Sequence, residues 1–196
     1  MNVKNYFKKN SKGFTLIEIL VVTTIIAILT TATLLNYRNI SQQFALQRAT
    51  NKLFQDLRRM QEMAMASEEC KKCSPVAVPK YGYGIRLETS SVGDETKYII
   101  FAHNDPEEDN YFYNPTHDTI IETILLEKGV IVYEINHGAN PHVSVNIRPP
   151  LPATGLVCLY CGKLFTEEIE ITLALEKDTS KTKEIYVNTA GLIYVK

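Results

Sequence analysis

The stretch KGFTLIEILVVTTIIAILTTATLL occupies Lys12–Leu35 and holds the longest apolar run of the chain. From Phe14 to Leu35 the only charged residue is Glu18. As a helix with a rise of about 1.5 Å per residue, this run is about 33 Å long, and the hydrocarbon core of a bilayer is about 30 Å thick. The run therefore predicts a membrane-spanning helix over residues 14–35.

A basic segment precedes the apolar run. Residues 1–13 contain no acidic residue, and their lysines are Lys4, Lys8, Lys9 and Lys12. Basic flanks stay on the cytoplasmic side of a membrane, which predicts an N-terminus inside and a head outside the cytoplasm. A cleavable secretory signal has a shorter apolar region, about 7–15 residues, and a small-residue cleavage site, which does not follow here. We therefore predict one pass through the bacterial inner membrane.

The segment Lys12–Leu20, KGFTLIEIL, resembles the N-terminal signature of type IV prepilins and type II secretion pseudopilins. The resemblance implies that a prepilin peptidase removes residues 1–13 as a leader by cutting after Gly13. It also implies that the new amine of Phe14 is methylated. The resemblance further implies a glutamate at the fifth mature position, and Glu18 occupies it.

The energetic cost of a carboxylate in a membrane helix gives a separate argument about the role of Glu18. A carboxylate at the centre of a membrane helix costs about 2.5–3.5 kcal/mol, although a residue near the helix end can reach the interface. In a bundle of helices such a carboxylate needs a cationic partner, and the amine of Phe14 supplies one. The simpler alternative is that Glu18 merely interacts with the positive end of its own helix. We expect the assembly role.

The helix continues beyond the apolar run. Residues 42–66 lack Pro and Gly, and their apolar side chains recur at the helical period, at Leu46, Ala49, Leu53, Leu57, Met60 and Ala64. We predict one helix from Phe14 to about Ser67. Residues 14–35 form the membrane and filament-core part, and residues 36–67 form an amphipathic continuation that packs on a head of residues 68–196.

The head has the period of β-strands. Runs rich in Ile, Val, Tyr and Thr alternate with turn residues, and they predict strands at residues 83–89, 97–102, 119–126, 130–135, 143–147, 168–175, 184–187 and 192–195. Asn188–Gly191 is expected to join the last two as a hairpin, with Gly191 at a positive φ. The fold class is α+β and pilin-like, with a long helix on an antiparallel sheet or sandwich. This layout is similar to the pseudopilin H and minor pilin T branch.

Four cysteines form two CxxC pairs, Cys70 with Cys73 and Cys158 with Cys161. Two such pairs have the spacing of a structural zinc site with four thiolate ligands. A head outside the cytoplasm is in an oxidising compartment, where two disulfides that tie the helix end to the sheet fit the same count. Free or redox-active thiols are the third alternative. All three stay open at the level of the sequence.

An acidic segment, HNDPEEDN at residues 103–110, concentrates oxygen ligands. A calcium ion could bind to Asn104, Asp105, Glu107 and Asp109, although a solvated acidic turn is the reading we prefer. We find no Gly-rich phosphate loop, nucleophile elbow or convincing carboxylate pair. The sequence therefore does not predict an enzyme.

Net charge and two helix positions bear on which partners and which kind of pilin subunit the sequence predicts. The 196 residues are 45% hydrophobic, and 21 basic against 22 acidic residues give a net charge of −1. Loss of the basic leader makes the mature chain more acidic, so we expect no nucleic-acid partner. Ala27 and Leu35 stand where long-pilus subunits of the family commonly have Gly and Pro, which favours a minor pilin or pseudopilin over a major pilin.

We therefore expect a structural subunit of a type IV pilus-like or type II secretion filament. The expected partners are the prepilin peptidase, other pilin or pseudopilin subunits, the inner membrane and an assembly platform. The alternative is a surface adhesin or ligand-binding module that uses a pilin anchor. A large pocket lined by polar groups would favour this alternative.

Overall fold

A computed structural model describes residues 13–89, 93–104, 112–136, 142–148, 153–158, 163–164 and 168–196. The chain divides into two compact units, Met1–Ser41 and Gln42–Lys196. One helix, α1, runs over Leu16–Met65 and contributes to both units. All described strand pairs of the second unit are antiparallel, so the predicted α+β class with a long helix and an antiparallel β head is confirmed.

The second part of α1 packs through the predicted stripe. All six predicted positions are buried, with exposed fractions of 5% or less: Leu46, Ala49, Leu53, Leu57, Met60 and Ala64. They belong to one hydrophobic cluster that also contains side chains from both sheets of the head. The 3.6-residue period therefore correctly predicted which side of this part of the helix meets the core.

The helix ends two residues earlier than predicted. Ser67 has a φ of 50°, which is a left-handed conformation and stops the helical path. The N–H of Glu68 donates to the carbonyl of Met63 at 3.1 Å, and the N–H of Ser67 donates to that of Ala64 at 3.1 Å. These two bonds are a Schellman cap, built here on serine instead of the more usual glycine.

The described strands of the head are β1 Tyr83–Glu88, β2 Lys97–Ala102, β3 Thr119–Leu125, β4 Val130–Ile135, β5 His142–Arg148, β6 Ala153–Cys158, β7 Lys163–Leu164, β8 Glu168–Leu175, β9 Asp178–Asn188 and β10 Ile193–Val195. They form a six-stranded sheet in the order β3-β2-β1-β5-β6-β7 and a four-stranded sheet in the order β10-β9-β8-β4. The inward faces alternate with polar ones: Tyr83, Ile85 and Leu87 of β1 are buried in the cluster.

The predicted C-terminal hairpin is confirmed. Strand β10 pairs with β9 through Ile193 and Val187, and Gly191 lies in the connection with a φ of 81°. The side chain of Asn188 accepts the N–H of Leu192 at 2.8 Å, which holds the turn closed. The positive φ explains the glycine, because a side chain would be strained there.

Strand β9 and two other strands differ from the prediction. Strand β9 begins at Asp178 instead of residue 184, because its polar first half pairs with β8 even though it carries no apolar alternation. Strands β6 and β7 were not predicted at all. Strand β6, ATGLVC, pairs along its length with β5, and its short, glycine-containing sequence gives no clear two-residue period.

Candidate assembly segment

The N-terminal end of α1 is capped by its own sequence. The N–H of Glu18 donates to the hydroxyl of Thr15 at 3.3 Å and to the carbonyl of Thr15 at 3.1 Å. Thr15 is therefore the N-cap, and Glu18 is the third helical residue, which is the spacing of a capping box. Thr15 was missed as a structural residue by the sequence analysis, although the pattern T-x-x-E was a usable signal.

The first part of α1 exposes apolar side chains on every side. The large hydrophobic residues of this segment have exposed fractions between 47% and 83%, and they are Phe14, Leu16, Ile17, Ile19, Leu20, Val21, Val22, Ile25, Ile26, Ile28 and Leu29. Each residue from 13 to 31 is exposed. We call residues 14–31 the apolar helix segment. Contiguous apolar surface on this scale marks an interaction site with protein or lipid.

Four threonine hydroxyls of the apolar helix segment form hydrogen bonds to backbone carbonyls of the same helix. The hydroxyls of Thr24, Thr30 and Thr31 donate to the carbonyls four residues earlier, at 2.7–2.8 Å. Thr23 makes a similar bond to the carbonyl of Leu20 at 3.0 Å. These bonds satisfy the hydroxyls within the helix, so the threonines can enter an apolar environment without an unmatched donor.

The predicted processing and assembly residues lie at the start of this segment. A Cβ at Gly13 would meet no atom within 4 Å, so the position is sterically open. Glu18 is exposed, and no ion pair joins its carboxylate to another described residue. Among the described residues, no helix has the length and hydropathy needed to cross a membrane. The predicted span over residues 14–35 stays a prediction.

Cys70 and Cys73 show a pairing that differs from the cross-linked alternative of the sequence analysis. Cys70 and Cys73 form a disulfide with each other, with Cα atoms 5.3 Å apart, instead of tying the helix end to the sheet. The tight turn of the CxxC motif brings the two Cα atoms within bonding range, which explains the local pairing. Neither sulfur of a disulfide is a zinc ligand, so the predicted zinc site would require reduction of this bridge. Cys158 is the last residue of β6, and Cys161 lies outside the described residues.

The predicted calcium ligands are largely outside the described part of the chain. Asp105, Glu107 and Asp109 belong to the segment that is not described, so the calcium site stays a prediction. Asn104 is described, and its side chain has protein partners. Its Oδ1 accepts the N–H of Lys80 at 3.2 Å, and its Nδ2 donates to the Sγ of Cys73 at 3.9 Å.

A buried carboxylate next to this segment was missed. Asp118 Oδ1 lies 2.9 Å from Nδ1 of His103, and both side chains are almost fully buried. The same carboxylate accepts the N–H groups of Asn104 at 2.9 Å and Asn114 at 2.7 Å. Asp118 therefore ties the end of β2 to the segment before β3. No local pattern marked it, since the two partners are 15 residues apart.

A second buried carboxylate joins α1 to the six-stranded sheet. Asp56 accepts the phenol O–H of Tyr98 at 2.5 Å and lies 3.4 Å from Nζ of Lys52. Burial, and then the hydrogen bond to Asp56, raises the pKa of Tyr98, so its phenol stays protonated as a donor. The hydrogen bond between Tyr98 and Asp56 therefore joins α1 to β2 within an otherwise apolar contact.

An open groove of about 390 Å³ lies at the end of α1. Its lining mixes charged residues with Met63, Tyr83, Ile121 and Cys70. Several of its charges are already engaged, because Arg59 pairs with Glu122 at 3.0 Å and Nζ of Lys72 donates to the carbonyl of Ile121. The volume is in the range of small-molecule sites.

The comparisons with known proteins agree with the segment's chemistry. Residues 8–34 match the family described as the prokaryotic N-terminal methylation motif. No curated protein and no solved structure shows significant similarity to the chain. The matched residues contain the basic end of the leader, Gly13, Phe14, Glu18 and the apolar helix segment. Over residues 8–34 the chain therefore carries the N-terminal signal of type IV pilins and pseudopilins, which indicates a structural subunit.

Proposed function

We propose that the chain is a minor pilin or pseudopilin of a type IV pilus-like or type II secretion filament. In this proposal a prepilin peptidase cuts between Gly13 and Phe14 and methylates the Phe14 amine. The mature subunit then polymerises through the apolar helix segment, with its head outward.

The observation that carries the proposal is the exposure of this segment. A helix that is apolar on all sides is normally buried on all sides. Each Å² of apolar surface removed from water contributes about 25 cal/mol, so side chains as exposed as Leu16 and Ile17 favour association strongly. The internal bonds of the threonine hydroxyls support the same conclusion, since they lower the cost of covering the helix.

Glu18 gives the polymer a polar contact. When the apolar helices of neighbouring subunits cover Glu18, its carboxylate loses its hydration, and a nearby cation is needed to compensate the buried negative charge. Cleavage after Gly13 creates such a cation, because the Phe14 nitrogen changes from an amide into an amine. The proposed pair joins Glu18 of one subunit to Phe14 of the next, and an uncleaved chain cannot form it.

The location follows from the same segment. Before assembly, the apolar helix segment would be held in the inner membrane, with the leader lysines on the cytoplasmic side and the head outside. An assembly platform in that membrane would then transfer subunits to the filament.

A second candidate function is that of a surface adhesin or ligand-binding module on a pilin anchor. The groove of about 390 Å³ at the end of α1 is the observation that favours it. The two functions differ in stoichiometry: an adhesin is confined to a filament end, whereas a structural subunit also occurs along its length.

The Gly13→Val variant tests the proposed function. Because a Cβ at Gly13 would meet no described atom within 4 Å, we expect the substitution to leave the fold of the head unchanged and to act at the cleavage step. We expect the variant to keep its leader, remain with the membrane and be absent from sheared filaments. Gly13→Ala, which adds only a methyl group at the same position, should impair cleavage less. Normal cleavage and normal incorporation of Gly13→Val would refute the proposal.

A further inference from the structure

Three strands of the four-stranded sheet carry tyrosines and glutamates on the side that faces away from the core. Ile171 of β8 pairs with Ile185 of β9, and both are fully buried, so the residues next to them in sequence lie on the opposite side. On that side Tyr194 of β10 pairs with Tyr186 of β9, and Tyr186 pairs with Glu170 of β8. We call this surface the tyrosine–glutamate face, and its residues are Glu168, Glu170, Glu184, Tyr186 and Tyr194.

The side chains of the tyrosine–glutamate face contact one another. The rings of Tyr186 and Tyr194 stack with their centroids 5.0 Å apart and an angle of 10° between their planes. The hydroxyl of Tyr186 lies 2.9 Å from Oε2 of Glu184 and 3.1 Å from Oε2 of Glu170. The hydroxyl of Tyr194 donates to Oε2 of Glu168 at 3.1 Å. Because a phenol donates one proton, Tyr186 satisfies one of its two carboxylates at a time, and acceptor positions remain for a further donor.

The tyrosine–glutamate face is acidic overall. It holds three carboxylates, and Nζ of Lys196 lies 5.9 Å from the centroid of the Tyr186 ring. Within the described part of the chain, neither Glu168 nor Glu184 takes part in an ion pair. Tyr194 is 37% exposed, and Glu168 is also exposed. A surface that combines aromatic rings with carboxylates is suited to a guanidinium, which stacks on the rings and forms paired hydrogen bonds with a carboxylate.

A surface of the opposite charge lies on α1. Arg58 is exposed, and its guanidinium stacks on the ring of Phe54, with Cζ 4.5 Å from the ring centroid. Among the residues that the structure describes, no carboxylate forms an ion pair with Arg58. Lys52 and Arg59 have carboxylate partners, yet their side chains are 58% and 53% exposed. We call Lys52, Phe54, Arg58 and Arg59 the basic helix face.

The two faces cannot meet within one chain. Each lies on the side of its own element that faces away from the hydrophobic cluster of the head, so a contact between them requires two copies. Because the two surfaces differ, such a contact is heterologous and leaves each copy with a second face for another neighbour. Heterologous contacts build open helical filaments when their rotation does not close a ring, which is the symmetry of the proposed assembly.

We propose that the tyrosine–glutamate face of one copy binds the basic helix face of the next copy in the filament. Arg58 is the central residue of this contact, because its guanidinium forms paired hydrogen bonds with a carboxylate of the facing sheet while Phe54 covers one of its sides. The opposite charges steer the two faces together and disfavour the pairing of two like faces. The inference rests on the proposed function and adds to it a contact outside the apolar helix segment.

The first test exchanges the charges of the two faces. Arg58→Glu and Glu184→Arg each place like charges opposite one another, so each should lower the amount of the chain in sheared filaments about tenfold. The variant that carries both substitutions restores an opposite pair and should recover most of the wild-type amount. Glu176→Arg reverses an exposed charge outside both faces, and its amount should stay within about twofold of wild type.

Two outcomes of this test would overturn the proposal. The first is a wild-type amount of both single variants in filaments. The second is a loss in both single variants without recovery in the double variant, because the faces would then bind a different subunit. Cleavage after Gly13 is measured in every variant. Absence of the wild-type chain from filaments would contradict the proposed function, whereas normal cleavage and incorporation of wild type and all variants would contradict this contact alone.

The second test identifies the neighbour of Tyr194 directly. The full chain is produced with the photoreactive residue benzoylphenylalanine in place of Tyr194, and its filaments are irradiated before digestion and mass spectrometry. We expect a cross-link to the peptide that contains Phe54 in another copy of the chain. Cross-links to another protein, or to a part of this chain outside α1, would contradict the proposal.

Discussion

Residues 16–31 and residues 46–65 belong to the same helix, yet their side chains meet opposite surroundings. In the first region every residue is exposed, although most are apolar. In the second region most of the apolar residues lie on one stripe, and the head of the same chain buries that stripe. The spacing of apolar residues thus indicates whether one face of a helix or its whole circumference packs against other protein or lipid. An unbroken apolar run requires cover on all sides, which one small head cannot supply.

The largest expected effect concerns Glu18, in the exposed region. Glu18→Ala should abolish or severely reduce incorporation into filaments, because the amine of Phe14 on the next subunit loses its partner. Thr15→Ala is the matched control: it removes the helix cap, which is worth about 0.5–2 kcal/mol, but leaves the carboxylate in place. The measurement is the amount of each variant in sheared filaments.

The Thr15 control also separates two explanations of Glu18. If the residue only stabilises the N-terminus of its own helix, both variants should reduce filament incorporation by similar, small amounts. If it forms the proposed pair, Glu18→Ala should be much more severe than Thr15→Ala. Wild-type filament yield in Glu18→Ala would exclude the pair.

Two leucine substitutions compare the regions directly. Leu57→Ala removes a fully buried side chain and should lower the free energy of unfolding of the head by about 2–5 kcal/mol. Leu20→Ala changes a side chain that is 54% exposed and should alter that free energy by no more than about 0.5 kcal/mol. Denaturant unfolding of the full chain in one detergent gives both values. The reverse order of effects would contradict the comparison.

A smaller effect is expected at the polar contact between α1 and β2. Tyr98→Phe removes the donor to Asp56 and leaves a buried carboxylate whose other partner among the described residues is Lys52, which should cost about 1.5–3 kcal/mol of unfolding free energy. Tyr133→Phe is the matched control on a partly exposed tyrosine, and it should change the value by less than about 0.5 kcal/mol. Similar losses for both variants would mean that the contact with Asp56 adds nothing.

The smallest expected effect is a pH dependence at the turn before β2. Hydrogen bonds from Thr96, followed by the contact with Lys97, lower the pKa of Asp94 from 3.8 to about 2. Because the pKa is lower in the folded state, the stabilisation is present above pH 3.8 and is lost as the pH falls to about 2. Asp94→Asn should flatten this part of the curve of unfolding free energy against pH. An unchanged curve would show that the carboxylate does not contribute.

Much of the fold could be predicted because it depends on local periodicity. The steps of three and four residues along the second part of α1 identified its buried apolar stripe, but not the buried polar residues Thr50 and Asp56. Most strands and the hairpin at Gly191 followed from alternation and turn residues. The start of the assembly segment was equally readable, because the signature from Lys12 to Leu20 is continuous in sequence.

The remaining features depend on contacts that local patterns do not encode. Strand β6 forms by antiparallel pairing with β5, and its own sequence shows no alternation of apolar and polar residues. Asp118 and His103 are brought together by the fold, and neither belongs to a motif. The pairing of Cys70 with Cys73 was open because the spacing alone is compatible with zinc, with cross-linking disulfides and with free thiols.

The central claim is that the chain enters a filament through its exposed apolar helix segment after losing its leader. The most direct test is the intact mass and N-terminal fragmentation of the protein recovered from sheared filaments. The account predicts a chain that begins at Phe14 and carries a methylated N-terminal amine. Filament-borne protein that still carries Met1–Gly13, or filaments that lack this chain in cells that produce it, would contradict the account.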